Sequence, residues 1–193
     1  MSSKMEIETK IRIDDFEAFN RLKEKMEAEY TKIENVYQHD IYYSPEYPNY
    51  MDEKYPYKWL RLRYLDDGQA EICFKHFFPE GAEKHTFCNE YQSIVAEPGA
   101  ISNILAELGL RVIADVEKYR TTYCMDRYLI SFDSVNNLGN YIEIEVKDVI
   151  YDEIRERELL DIELKNLGLS IYPVDLRGYP FLIYYKSKGK HDE

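Results

Sequence analysis

Met5-Glu6-Ile7-Glu8-Thr9-Lys10-Ile11-Arg12-Ile13 is the stretch on which the fold turns. Apolar or small residues (Met5, Ile7, Thr9, Ile11, Ile13) alternate strictly with charged ones (Glu6, Glu8, Lys10, Arg12), which is the period of a strand with two chemically different faces. One face suits a core. The other gathers acids and bases in one row, and it sets the question for the rest of the chain.

The following residues read as an α+β chain. Asp14 or Asp15 can cap a helix running to about Tyr30, with Phe16, Phe19, Leu22 and Met26 at helical spacing. A second strand is predicted over 36–43, followed by a Pro- and Tyr-rich acidic loop over 44–57. Residues 58–65 and 70–78 flank Asp66-Asp67-Gly68-Gln69 as a hairpin, and a further strand covers 86–96. Ile101, Ile104, Leu105 and Leu108 form the stripe of a second helix that Gly109 ends. Strands resume over 116–124, 128–134 and 140–147, and the chain closes with helices over 152–167 and 180–186.

Residues two apart on a strand share a face. By that rule Glu6, Glu8, Lys10 and Arg12 stand together, as do Trp59, Arg61 and Arg63; Glu71, Cys73, Lys75 and Phe77; Lys118 and Arg120; Arg127, Leu129, Ser131 and Asp133; and Glu143, Glu145 and Lys147. The opposite faces carry Ile7, Ile11, Leu60, Leu62, Ile72, Phe74, Ile130, Phe132, Ile142, Ile144 and Val146, which the helices can cover. Taken singly, such a charged row is the solvated face of an open sheet. Taken together, two Glu-x-Glu pairs and paired bases on three strands suggest a sheet curled into a closed antiparallel β-barrel with an interior that holds a ligand.

Those residue types suit one ligand chemistry. Carboxylates are hard oxygen donors for Mg²⁺ or Mn²⁺, ions that bridge phosphate oxygens. Glu6, Glu8, Glu143 and Glu145 are the candidate metal ligands, with Glu90 and Asp133 as further acids. Lys10, Arg61, Arg63, Lys75, Lys118 and Arg120 are the candidate phosphate-binding bases, Arg bidentate and Lys as a point charge. Of these, Lys10, Lys75 and Arg120 are expected to stabilise charge moving onto a leaving pyrophosphate.

Composition narrows the alternatives. A formal net charge of −12 disfavours a broad nucleic-acid surface, so phosphate binding has to be local. No run of residues has the length and apolarity of a membrane span and residues 1–8 contain no apolar leader core, so a cytoplasmic protein is expected. Its 193 residues and 45% hydrophobic content are expected to form a single domain with a charged tail over 186–193. Cys73, Cys88 and Cys124 are an odd set without CxxC spacing and read as reduced thiols. His39, His76, His85 and His191 show no pairing at metal-ligand spacing, and most of the 19 Tyr read as packing. Trp59, beside Arg61, is a candidate for stacking on a base.

These motifs resemble the CYTH or triphosphate tunnel metalloenzyme family, which includes class IV adenylate cyclases, thiamine triphosphatases and inorganic triphosphatases. Glu6-Ile7-Glu8-Thr9-Lys10 looks like its ExExK signature. His39-Asp40-Ile41-Tyr42-Tyr43, Leu60-Arg61-Leu62-Arg63, Lys75, Lys118-Tyr119-Arg120-Thr121-Thr122-Tyr123 and Leu138-Gly139-Asn140-Tyr141-Ile142-Glu143-Ile144-Glu145 follow in family order across about residues 5–185. The wording is most similar to the class IV adenylate cyclase branch.

That resemblance implies metal-dependent conversion of ATP to cyclic AMP and pyrophosphate, with the substrate's 3′-hydroxyl attacking the α-phosphorus. Hydrolysis of tripolyphosphate, thiamine triphosphate or a nucleoside triphosphate uses nearly the same residues, and a binding module without turnover is a third reading. A homodimer is allowed. The sequence departs from the family at Cys88-Asn89-Glu90-Tyr91-Gln92, which keeps one acid of an RxExE strand and lacks the Arg and the second Glu. The loop over 44–57 could act as a lid over one tunnel mouth.

Overall fold

The computed structural model describes residues 2–4, by their backbone, and residues 7–189; Met1, Met5, Glu6 and residues 190–193 lie outside the described residues. Glu6, one of the expected metal ligands, and His191 are therefore not placed. The described residues form β1 (Ser2–Lys4), β2 (Glu8–Ile13), α1 (Phe16–Glu29), β3 (Thr31–Pro45), β4 (Lys58–Tyr64), β5 (Ala70–Phe78) and β6 (Phe87–Val95). They continue with α2 (Pro98–Glu107), β7 (Leu110–Met125), β8 (Tyr128–Val135), β9 (Gly139–Val146), α3 (Glu153–Asn166) and α4 (Tyr179–Ser187). The class is α+β, as expected.

The sheet pairs antiparallel in the order β1-β6-β5-β4-β3-β7-β8-β9-β2. A barrel closed by hydrogen bonds is not what this order describes, because among the described residues it ends at β1 on one side and β2 on the other. The outer edge of β2 takes a different partner. Ile11 bridges Val174, the Arg12 N–H donates to the Pro173 carbonyl (3.2 Å), and the Asp175 N–H donates to the Lys10 carbonyl (2.9 Å).

The chain divides into two compact units, the first of Gln38–Glu117 with Met1–Lys4 and Arg177–Glu193, the second of Met5–Tyr37 and Lys118–Leu176. In the second unit Ile7, Ile11, Ile130, Phe132, Ile142 and Ile144 pack against Phe19 and Met26 of α1 and Leu160 and Leu164 of α3. These are the apolar residues the alternation assigned to the covered faces, and burying each contributes roughly 1.5–3 kcal/mol. Phe19 meets Phe132 edge-on at 5.3 Å between ring centres. Local chemistry fixes where the helices begin: the Asp15 carboxylate accepts from the Ala18 N–H at 3.0 Å, and Asp152 does the same for Arg155 at 3.0 Å.

In the first unit Tyr43, Leu62 and Ala70 pack with Leu105 of α2, flanked by Ile41, Leu60 and Ile72. Phe74 is only half-buried, against Tyr50. The loop over 44–57 is tied down. Met51 is fully buried, its carbonyl accepts from the Tyr185 hydroxyl at 2.8 Å, and Asn49 donates to the Tyr184 hydroxyl at 3.3 Å.

At the start of α4, Gly178 lies against the Trp59 ring so closely that a Cβ there would stand 3.0 Å from two ring carbons. Gly178→Ala is expected to lower stability by about 1–3 kcal/mol through overpacking, read as a shift in urea midpoint. A midpoint equal to that of the parent protein would show that the contact gives way freely.

No helix among the described residues is long and apolar enough to cross a membrane. All three cysteines are free thiols.

Candidate functional site

In the second unit the registers of β7, β8, β9 and β2 set the charged residues out in cross-strand rows. Arg120 lies opposite Asp133, Ser131 opposite Glu143, Glu143 opposite Lys10, and Glu145 opposite Glu8. Asp133, with a fully buried side chain, is the centre of this array. It accepts from Arg120 Nε at 2.7 Å on one oxygen, while its second oxygen takes Arg120 Nη2 and, at 3.4 Å, Lys118 Nζ. The fork of Arg120 thereby matches a carboxylate bidentately. Its Nη2 also reaches Glu143 at 3.2 Å.

Lys10 is buried among acids. Removal from water pulls its pKa below the usual lysine value, opposed by Glu143, Asp175, Glu8 and Asp133. The hydroxyls of Thr122 and Ser131 join at 2.9 Å in the adjacent row, and Thr122 donates to Glu34 of β3 at 3.0 Å. Lys147 donates to the Cys124 sulfur at 3.1 Å.

Glu8 and Glu145 are the informative pair. They stand directly opposite each other on paired strands. Like charges so placed repel. A divalent cation removes that repulsion, and an all-carboxylate donor set suits Mg²⁺ or Mn²⁺, so the residues present fit the ion that the sequence implied.

The first unit carries a second array of the same kind. Arg63 forms a bidentate pair with buried Asp40, at 2.6 Å from Nε and 2.7 Å from Nη2. Arg61 binds Glu71 at 2.7 Å. Lys75 lies 3.7 Å from Glu90, whose carboxylate also accepts from the Cys73 thiol at 3.2 Å. Burial, with the Glu90 contact, pushes the Cys73 thiol up to about 12, so it stays protonated at neutral pH. Burial and Asp40 likewise push Tyr42 up to about 12, against the pull of Arg61 and Arg63.

Within each unit, then, the structure brings the expected residues together: Lys10, Lys118, Arg120, Asp133 and Glu143 in one, Arg61, Arg63, Lys75 and Glu90 in the other. Three of the expected acids acquire neighbours that the strand pattern did not show, since Asp133, Glu143 and Glu90 stand against bases. Trp59 has Gly178 on its ring and Tyr42 at its edge, 6.1 Å between ring centres. Sequence reasoning missed Asp40, Glu34 and Asp175 as members of the arrays. The alternation of His39–Tyr43 could have found Asp40, two residues from Tyr42. Asp175, in an irregular segment, left no signal.

Residues 4–170 match the model of the CYTH domain family. A Methanocaldococcus jannaschii protein named "putative adenylate cyclase" is 26% identical over 184 residues, covering 90% of this chain and 99% of its own length. Among solved structures, one from Pyrococcus horikoshii is similar with a TM-score of 0.73 at 24% identity, covering 93% of this chain and 99% of that one. One from Vibrio parahaemolyticus has a TM-score of 0.68 at 22% identity, covering 94% and 99%. With two-sided charged strands, paired acids and clamped bases already in place, the match over residues 4–170 settles the family: this chain belongs to the CYTH domain family.

Proposed function

We propose that this chain is a metal-dependent enzyme that acts on a triphosphate, converting ATP to cyclic AMP and pyrophosphate. The observation that carries the reading is the second unit's row, in which the opposed carboxylates Glu8 and Glu145 adjoin Lys10, Glu143 and the Asp133-held bases. The name of the Methanocaldococcus jannaschii relative supports the choice of reaction.

In this reading Glu8, Glu143 and Glu145, with Glu6 from outside the described residues, hold Mg²⁺ or Mn²⁺. Bound there, the ion would neutralise phosphate oxygens and polarise the phosphorus under attack. Lys10, Lys118 and Arg120 of the second unit bind phosphate oxygens, and Lys10 and Arg120 stabilise the charge that develops on departing pyrophosphate. Arg61, Arg63 and Lys75 are the phosphate-binding candidates of the first unit's own array, with Lys75 in the charge-stabilising role there. Asp133 and Glu90 hold those bases in place, so little reorganisation is needed as charge moves.

Incubating the protein with ATP, tripolyphosphate and thiamine triphosphate, each with Mg²⁺ or Mn²⁺, and identifying products tests this directly. Cyclic AMP and pyrophosphate from ATP are expected. Orthophosphate from any of the three without cyclic AMP would replace cyclisation by hydrolysis. Binding without any product would leave a nucleotide- or polyphosphate-binding module.

A further inference from the structure

His39 belongs to a stretch, His39–Tyr43, that the triphosphate reading uses only in part. Alternation sends Asp40 to the charged row with Arg63, while His39 faces the other way. There it meets β7, the neighbour of β3 in the sheet. Its Nε2 lies 2.9 Å from Asp115 Oδ1, and one ligand atom from each of His39, Asp115 and Glu117 falls within 4.8 Å of the others. The imidazole is stacked on Tyr64 with 5.3 Å between ring centres and 23° between planes. Asp115 is exposed and the other two are half-buried, so solvent reaches the group.

We infer that His39, Asp115 and Glu117 form a second divalent-metal site, of a different preference from the opposed glutamates. One imidazole and two carboxylates on adjacent strands give three protein ligands and leave a position for water, the donor set of zinc and related transition ions. Metal–ligand distances of about 2.0–2.2 Å place donor atoms roughly 3–4 Å apart, so the group closes on an ion by side-chain rotation alone while the sheet holds the backbone. Imidazole favours Zn²⁺ or Co²⁺ over Mg²⁺, an ion that keeps to oxygen. A metal here ties β3 to β7.

This site does not rest on the triphosphate reading, and its test is separate from activity. The whole chain is held in excess Mg²⁺ to occupy oxygen-only sites, then titrated with Zn²⁺ by calorimetry and with Co²⁺ by visible absorption. The parent protein is expected to bind Zn²⁺ and to develop cobalt ligand-field bands. His39→Gln is expected to weaken Zn²⁺ binding by more than about 10-fold, the lower end of the loss that even outer-shell changes bring. The Asp115→Asn and Glu117→Gln double variant should do the same. Melting of the metal-free variants checks that each remains folded, and His39→Gln should turn over triphosphate as the parent does. Unchanged Zn²⁺ affinity in folded His39→Gln, or no uptake by the parent, overturns the site and leaves His39–Asp115 an ordinary hydrogen-bonded pair.

Discussion

Glu143→Gln combined with Glu145→Gln is expected to reduce metal-dependent turnover by at least about 100-fold, the scale on which removing one preorganised electrostatic contact to a transition state is felt. Gln keeps the volume and one oxygen but loses the charge that a hard divalent ion requires. The fold should survive, because Ile142, Ile144 and Val146 on the opposite face are unaltered in the core. Arg120 also keeps its bidentate hold on Asp133. The readout is the initial rate against Mg²⁺ concentration, with a far-ultraviolet melt as the control for folding. A double variant that matches the parent at every metal concentration would remove these two acids from the metal site and, with them, the argument from opposed carboxylates.

The second large effect concerns stability. Glu156, on α3, is fully buried, and its two oxygens accept from Arg127 Nη2 at 2.7 Å each. One of them also accepts from the backbone N–H groups of Ile150 (2.8 Å) and Tyr151 (2.9 Å). Replacing it by Ala leaves Arg127 and two backbone donors without this acceptor. A loss of about 3–5 kcal/mol is expected, as for other broken buried pairs. Urea unfolding measures it, and a variant within about 1 kcal/mol of the parent would contradict the account.

The sign of the accompanying pH dependence follows from the same contacts. Burial alone would raise the Glu156 pKa, but the hydrogen bonds from Tyr151 and Ile150 and the Arg127 charge outweigh it and bring it below 4.5. The charged form is thus favoured by folding. Its contribution is fully present above about 4.5 and is lost as pH falls through the lower, folded value. The gap in stability between the parent and Glu156→Gln should therefore narrow on acidification below that point.

Much of this was legible where one residue type alternated with another. The strict period of residues 5–13 located β2 and both its faces, and the same rule put Lys118 with Arg120 on one face of β7 and Asp133 with Ser131 on one face of β8; the register then brings those faces together. The turn at residues 66–69 and an Asp cap for α1, at residue 14 or 15, were equally clear, since each is a local steric or hydrogen-bonding preference; the Asp152 cap of α3 was not read from the sequence. Ser2-Ser3-Lys4 has no apolar face, and only its pairing with Glu90, Asn89 and Cys88 makes it a strand. Thr31–Pro45 begins well before the expected 36–43: of its first five residues only Ile33 is apolar and only Glu34 is half-buried, so no apolar face marks them, and side-chain contacts to β7 from Glu34 and Asn35 accompany the pairing. What alternation could not supply was the identity of each charge's partner. Arg63 pairs with Asp40 through strand register, and Asp175 comes near Lys10 from an irregular segment.

The bridge from β2 to residues 173–175 also bears on how copies of this chain behave when crowded. A terminal strand with open amides is a template on which another chain can polymerise. Here the Arg12 donor and the Lys10 acceptor are already engaged, and the segment engaging them begins with Pro173, a residue that has no amide hydrogen to offer. The strand whose charged side chains hold the proposed ligand thus has a backbone that is a poor seed for aggregation.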